Sequence, residues 1–255
     1  MKTLRYSLLS LAMLAVGCAV QAQIAIATTY TQNFDTIGTS LPGGWGVWTS
    51  STSTGNGTAF TWNTTATANN AAASPTTYFR NLPGASQTWS AGLSAGTDRA
   101  IGWRAGDAAS RDGSITFALS NTSGYNLTNL SFQLFTPNNT GTAGTFQLQY
   151  QIGTTGTFTQ LAAVSYTNNT AQNPLTLTTI TLTGAQLGAL NNQSGQVTLR
   201  WDNTASAGTS WQTFALDNFA YTAAAIPEPS TYAAILGVVS LTGVLIRRRQ
   251  LQRTA

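Results

Sequence analysis

The feature that most limits the fold of this 255-residue chain is a period-two alternation of apolar and polar residues in its second half. In the segment SITFALS, the alternation places Ile115, Phe117 and Leu119 on one face of a strand. The same pattern recurs at Leu130, Phe132 and Leu134, at Phe146, Leu148, Tyr150 and Ile152, and at Val197, Leu199 and Trp201. Turn sequences such as NTSG, NNTG and NNQSG separate these segments. The sequence therefore predicts an all-β domain over residues 23–222, an antiparallel β-sandwich of the jelly-roll kind.

The last predicted strand, FALDNFAY, breaks this alternation. Phe219 and Tyr221 share a face with Asp217, whereas Phe214 and Leu216 share the opposite face. Either the strand contains a bulge, or it is covered on both sides and Asp217 points toward the interior. A buried carboxylate needs hydrogen-bond donors or a cation, so this aspartate is the most informative residue of the domain.

Two other segments carry weaker signals. Residues 49–77 are crowded with Ser, Thr, Asn, Gly and Ala, which fits either a long loop or a pair of edge strands. The segment GAQLGAL, from Gly184 to Leu190, is predicted to form one short helical turn.

The N-terminus has the layout of a secretory signal peptide, which predicts a helical signal over residues 1–22. Lys2 and Arg5 form a basic start, an apolar stretch follows, and small residues favour cleavage by signal peptidase after Ala22. A second interpretation stays open, because AVGC loosely resembles a lipobox that would make Cys18 a lipid-modified N-terminus. Both interpretations predict that the chain leaves the cytoplasm.

The composition of the body excludes several classes of function. Between residues 23 and 225 there are five arginines and six aspartates, a net charge of −1, so the sequence pI of about 9.5 comes from the two ends. A basic pI of this origin is no argument for nucleic-acid binding. The same region lacks His, Cys, Lys and Glu, which removes disulfides, thiolate or imidazole metal sites and most general bases.

Catalytic motifs are correspondingly weak. The segment GLSAG fits the nucleophile-elbow pattern, but Ser94 would need a histidine, and the chain has none. Asp98, Asp107 and Asp112 are interleaved with arginines, which favours ion pairs over a pair of catalytic carboxylates. We therefore expect a non-enzymatic protein.

Tryptophan is the remaining candidate for ligand contact. Exposed indole rings stack on sugar faces, and Trp45, Trp48 and Trp89 each lie near Gly or Pro, where loops and sheet ends are expected. These three residues form a candidate carbohydrate site, with exopolysaccharide as its ligand. Core packing is the alternative, and Trp201 follows the buried alternation.

The only cofactor that the sequence suggests is a structural calcium ion. The segments QNFDT and ALDNF could lie side by side, which would bring Asp35 and Asp217 together with backbone carbonyls. In the alternative interpretation, each carboxylate caps a turn or accepts backbone N–H bonds.

The C-terminal tail ends in an apolar run followed by arginines. Residues 232–246 carry no charge and would span about 22 Å as a helix, which is shorter than the ~30 Å hydrocarbon core of a bilayer. The predicted organisation is a linker over 223–230, a transmembrane helix over 231–246 and a basic cytoplasmic tail over 247–255. Arg247, Arg248 and Arg249 act as the basic stop on the cytoplasmic side.

This tail resembles the PEP-CTERM sorting signal of Gram-negative bacteria. The resemblance covers about thirty residues and consists of Pro227-Glu228-Pro229, a short apolar helix and the arginine cluster, in that order. It implies that an exosortase recognises and removes the tail. The implied course is export, transient anchoring in the inner membrane, and delivery to the cell surface or the extracellular matrix. Members of this family are mostly exported proteins of bacteria that make exopolysaccharide.

A second resemblance concerns the body. The segments DRAIG, FALSNTSGYNLTNLSFQL, LRWDN and ALDNFAY are similar to β-sandwich domains of such exported proteins. The resulting hypothesis is a non-enzymatic surface or matrix protein, and the alternative is an exopolysaccharide-binding jelly-roll module.

Overall fold

A computed structural model describes residues 22–37, 40–62, 79–83, 98–105, 113–136, 144–166, 176–202 and 212–253. Within these ranges the chain forms twelve strands, a short helix and a long C-terminal helix. The strands are β1 (Thr29–Gln32), β2 (Trp45–Thr49), β3 (Thr58–Ala59), β4 (Phe79–Pro83), β5 (Arg99–Ala105), β6 (Ser114–Leu119), β7 (Tyr125–Thr136), β8 (Gly144–Ile152), β9 (Thr159–Tyr166), β10 (Thr176–Thr183), β11 (Val197–Asp202) and β12 (Gln212–Ala225). The helices are α1 (Gly184–Leu187), which continues into a 3-10 turn over Gly188–Leu190, and α2 (Pro229–Arg253).

The strands form two sheets that pack face to face. Sheet A has the order β3-β2-β6-β11-β8-β9, and sheet B has the order β10-β7-β12-β5-β4, with β1 also paired to β12. Each strand pair in the described chain is antiparallel. The predicted antiparallel β-sandwich followed by an apolar helix is therefore confirmed. Of the signal peptide predicted over residues 1–22, residues 1–21 lie outside the described residues.

The core lies between the sheets and consists of the residues that the alternation places inward. Phe117 on β6 and Phe219 on β12 come from opposite sheets, and their ring centroids lie 4.9 Å apart. Phe132 and Trp201 make a second contact between the sheets, edge to face at 5.5 Å. Burial of each such side chain contributes roughly 1.5–3 kcal/mol, and this aromatic packing replaces the disulfides that the body cannot form.

Strand β12 contains the irregularity that its sequence indicates. Its register against β7 shifts between Asp217 and Ala220, and Asn218 has a φ of 49°. The backbone N–H of Asn218 donates to the Asp217 carboxylate at 2.6 Å. The predicted bulge is therefore present, and Asp217 is fully buried although its pairing with Gln133 places it on the face opposite Leu216.

The two ambiguous segments are partly described. Residues 50–57 form a loop that leads into the two-residue strand β3, while residues 63–78 lie outside the described ranges. The predicted short helical turn corresponds to α1 and the 3-10 turn after it. There the Gln186 side chain accepts a hydrogen bond from the Thr183 backbone N–H, as part of a capping box.

Candidate functional site

Both ends of the sandwich are fixed to one pole of the molecule, at the turn between β6 and β7. The backbone N–H of Ile24 donates to Ala118 at 3.1 Å, and that of Ser120 donates to Ile24 at 2.8 Å. At the other end, the N–H of Ile226 donates to Gly124 at 2.7 Å. The chain therefore enters and leaves the fold at the same pole.

The predicted cleavage point for signal peptidase lies directly before this pole. Ala22 is exposed, and Ile24 is the first of the described residues whose backbone is hydrogen bonded to a strand of the sandwich. This contact lies two residues after the predicted cleavage site.

A very short link joins the sandwich to α2. Strand β12 continues to Ala225 and α2 begins at Pro229, so only the three residues 226–228 lie between them. Pro227 and Glu228 are exposed. The predicted linker over 223–230 is thus shorter in the structure, because β12 keeps its pairing with β7 through Ala225.

The motif predicted to direct sorting, Pro227-Glu228-Pro229, leads into the start of α2. The carbonyl of Glu228 accepts from the Thr231 N–H at 2.9 Å, and its carboxylate accepts from the Ser230 hydroxyl at 3.2 Å. Proline, which has no backbone N–H, suits the first position of a helix, because an N–H at that position would have no partner within the helix. The negative charge of Glu228 is favourable beside the helix N-terminus.

Helix α2 exposes its apolar residues on all sides. Among the described residues, the large apolar side chains that are exposed all belong to this helix: Tyr232, Ile235, Leu236, Val238, Val239, Leu241, Val244, Leu245 and Ile246. The segment Ser230–Arg247 is long and apolar enough to cross a membrane, and none of it is buried against the sandwich. Its 18 residues rise about 27 Å, close to the ~30 Å of a bilayer core.

The predicted basic stop lies on the same helix. Arg247, Arg248 and Arg249 directly follow the apolar span, and Arg247 and Arg249 are exposed. The helix continues to Arg253, so most of the predicted tail over 247–255 is helical.

Trp45 lies in the core and not at a ligand-binding surface. Its side chain is 5% exposed and its indole stacks on Trp201 at 5.5 Å. Its Nε1–H donates to the Tyr30 hydroxyl at 3.0 Å. No face of this ring is available for a sugar, which corrects the sequence-based interpretation of Trp45.

Trp48 points to the outer face of sheet A but is also covered. It is 8% exposed, and its Nε1–H donates to the Thr116 hydroxyl at 2.7 Å. An exposed sugar-stacking role is therefore corrected for Trp48 as well. Trp89, the third residue of the predicted carbohydrate site, lies outside the described residues.

The outer face of sheet A contains a buried arginine that the sequence analysis missed. Arg200 is 1% exposed, and its Nη2 lies 3.3 Å from a carboxylate oxygen of Asp202. Its Nε–H donates to the Gln149 side-chain oxygen at 2.9 Å, and its guanidinium carbon lies 3.7 Å from the centroid of the Phe158 ring. Burial lowers the pKa of Arg200, while the charge of Asp202 acts in the opposite direction.

Arg200 also holds the loop that covers this face. Its Nη1–H groups donate to the carbonyls of Thr52 and Gly55 at 2.7 and 2.9 Å. The loop over residues 50–57 is further fixed by a 2.8 Å hydrogen bond between the hydroxyls of Ser51 and Ser114. Gly57 has a φ of 94°, and a Cβ there would lie 2.1 Å from a backbone oxygen, so only glycine fits. The face is therefore closed by the chain's own backbone.

Strand β1, which precedes the turn that contains Asp35, pairs with β12, which contains Asp217. Gln32, just before the Asp35 turn, is paired with Phe219 on the bulged part of β12. The carboxylate of Asp35 accepts from the Asn33 side chain and from the Arg99 backbone N–H at 3.0 Å. The ranges that the structure describes hold no group of three or more His, Cys, Asp or Glu that could bind a metal. A calcium site therefore stays a prediction.

Two tyrosines, the half-buried Tyr30 and the buried Tyr221, lie where β1 meets β12. Tyr30 and Tyr221 stack at 5.6 Å, and the Tyr221 hydroxyl accepts from the Ala27 N–H at 3.3 Å. Burial raises the pKa of both hydroxyls above the usual 10.0. Both groups are therefore neutral at physiological pH and serve packing.

No protein-family model and no curated protein matches the sequence. Among solved structures, the chain is similar to the K1 cleaved adhesin domain of Lys-gingipain from Porphyromonas gingivalis. The TM-score is 0.41 at 11% identity, over 77% of this chain and 98% of that one. It is also similar to the CBM22-1 xylan-binding domain from Paenibacillus barcinonensis Xyn10C, with a TM-score of 0.40 at 10% identity, over 81% and 99% of the two chains. At these scores the similarities carry no inference about ligands.

Proposed function

We propose that this chain is an exported, non-enzymatic protein of the cell surface or extracellular matrix, anchored by α2 and sorted through Pro227-Glu228-Pro229. The observation that carries the proposal is an apolar helix, exposed on all sides, that follows a folded sandwich after only three residues. Water is an unfavourable environment for such a helix, and a bilayer is the environment that accepts it.

The link gives a sorting protease access to an extended peptide. Pro227 and Glu228 are exposed, and prolines on either side of the glutamate disfavour helical structure before the motif ends. Three extended residues span about 10 Å, so an enzyme that cuts here works between the membrane and the sandwich. An exosortase, itself a membrane protease, fits that position.

Export is supported at the other end of the chain. Because Ile24 is the first described residue paired with a strand, a cut by signal peptidase after Ala22 leaves the described strands intact. The released N-terminus would then be the exposed residue Gln23.

A non-enzymatic role is supported by the state of the charged groups in sheet A. Arg200 and Asp202 are buried and contact each other, and Arg200 holds a loop in place. The whole chain contains no histidine that could act as a base. The described polar groups of this face thus have a structural use.

The sorting proposal is tested with the double substitution Pro227→Ala and Glu228→Ala in the producing bacterium. We expect the variant to remain at full length in the inner membrane, whereas the wild type is shortened and released, as judged by fractionation and intact-mass analysis. The matched control is Thr29→Ala with Thr31→Ala, two exposed positions on β1 away from the motif. Normal release of the Pro227/Glu228 variant would refute the sorting proposal.

Exopolysaccharide binding is the alternative function and is tested separately by co-sedimentation of the mature protein with the producer's own polysaccharide, with and without calcium. Since Trp45 and Trp48 are buried, we expect no saturable binding through these rings. Saturable binding that is competed by soluble oligosaccharide would identify a carbohydrate-binding module. If binding required calcium, Asp35→Asn would be tested next. Loss of the calcium-dependent binding in that variant would support the ion site predicted at Asp35 and Asp217.

A further inference from the structure

The edges of the two sheets differ in how they are protected against pairing with another strand. In sheet A, β3 is only two residues long, and the ladder between β8 and β9 has an irregular register at Leu148 and Gln149. In sheet B, β4 has five residues, carries Arg80 and ends at Pro83, while β1 has four. Short strands, bulges, charges and prolines are the usual devices that prevent association between edges.

Strand β10 has none of these devices. Its sequence TLTTITLT runs for eight residues without a charge, proline or glycine. Its ladder with β7 is unbroken from Thr176 to Thr183. Threonine and isoleucine favour strand structure, and within the described residues no strand pairs with the second edge of β10. The backbone groups on that edge are thus positioned to accept another strand.

We propose that β10 pairs antiparallel with β10 of a second copy of this chain. Thr179 and Thr181 are exposed on the outer face, whereas Ile180 and Leu182 point toward the core. A two-fold axis through Ile180 places Thr179 opposite the partner's Thr181 and Ile180 opposite the partner's Ile180. Core-facing residues then lie opposite core-facing residues, and outward-facing ones opposite outward-facing ones. Both cores therefore stay on the same side of one continuous sheet.

A second copy is the partner that the chemistry of this edge favours. The strand has no charge with which to select an acidic or basic partner. It does carry threonines at positions that become directly opposite under the two-fold axis, and Thr–Thr pairs are favourable across strands. At the three central positions of this pairing, threonine lies opposite threonine and isoleucine opposite isoleucine, whereas Thr178 lies opposite the partner's Leu182.

The test uses the full chain in detergent micelles, with mass measured by sedimentation velocity and detergent-corrected light scattering. We expect a dimer for the wild type. Thr179→Lys with Thr181→Lys places lysines opposite lysines and should weaken the dimer by about ten-fold or more. The matched control, Thr29→Lys with Thr31→Lys on the exposed face of β1, adds the same charge at the same spacing and should leave the dimer intact.

A charge exchange separates pairing from misfolding. Thr179→Glu with Thr181→Glu should also give monomers, and mixing the glutamate and lysine variants should restore a mixed dimer. Recovery of the mixed dimer shows that both variants are folded and meet through β10. The proposal would be overturned by a monomeric wild type or by an equal loss of dimer in the β1 control. It would also be overturned by a dimer that survives the β10 lysines, which would point to association through α2 instead.

Discussion

The sandwich and helix α2 place their apolar side chains in opposite environments. The sandwich packs Phe117, Phe219 and Trp201 between its sheets, each at most 1% exposed. In α2, Leu236 and Val238 are both 66% exposed. One part of the chain makes its own apolar interior, and the other depends on an environment that the chain does not supply. The two regions are therefore expected to respond independently to substitution.

The largest expected effect comes from charging α2. Val238→Arg with Leu241→Arg puts two arginines near the centre of the apolar span, at a cost of about 2.5–3.5 kcal/mol each in a bilayer. We expect the protein to leave the membrane fraction while the melting temperature of the sandwich stays unchanged. Gln252→Arg, near the end of the helix, is the control and should not alter fractionation. Full retention of the double variant in carbonate-washed membranes would contradict a transmembrane α2.

The next effect concerns the sandwich alone. Arg200→Met leaves Asp202 buried without its cation and removes the donors that hold the loop over residues 50–57. Loss of one partner of a buried pair is expected to lower the free energy of unfolding by about 3–5 kcal/mol, measured by urea denaturation. Membrane fractionation should not change.

Two companions sharpen this measurement. Adding Asp202→Leu to Arg200→Met should recover part of the stability, because the uncompensated carboxylate is then gone. Arg200→Lys keeps the charge but not the forked geometry and should fall between wild type and Arg200→Met. If the Arg200→Met variant had the same urea midpoint of unfolding as the wild type, the arginine would not be what holds the loop.

The smallest effect is a pH dependence confined to the sandwich. The folded-state pKa values of Tyr30 and Tyr221 are raised by burial above 10.0, their value in the unfolded chain. The unfolded state therefore loses these protons first, so the stabilisation is complete below about pH 10 and is lost as the pH rises toward the folded-state values. Urea denaturation between pH 8 and 12 should show a shallower alkaline decline in the Tyr30→Phe/Tyr221→Phe variant. Tyr232→Phe in α2 should keep the wild-type slope.

The sequence predicts those parts of the molecule that depend on local pattern. The alternation around Ile115, Phe117 and Leu119 is sufficient for the sandwich, and the broken alternation around Asp217 indicates the bulge. An uncharged apolar run followed by arginines is sufficient to predict the apolar helix α2. In each case the environment of a residue follows from its neighbours in sequence.

The sequence does not predict whether the outer face of a sheet is covered. Trp45 and Trp48 face opposite sides of sheet A, and Trp48 would be exposed without the segments that cover that face. Arg200 was missed for the same reason, since its loop partners are about 145 residues away in sequence. The sequence does contain one sign of this buried pair. Arg200 and Asp202 are two residues apart and therefore share a face, opposite a strand with glutamine at every second position.

Both ends of the described sandwich lie at the turn between β6 and β7, which would orient the protein if α2 is anchored as proposed. With a link of three residues, a membrane-inserted α2 would leave the sandwich little freedom to tumble, so this pole would face the bilayer. Strand β7 runs away from that pole for twelve residues, about 40 Å. Thr136 at the end of β7 and Gln212 at the start of β12 therefore lie at the opposite pole. In the proposed anchored state, a neighbour approaching from the medium would meet that pole first.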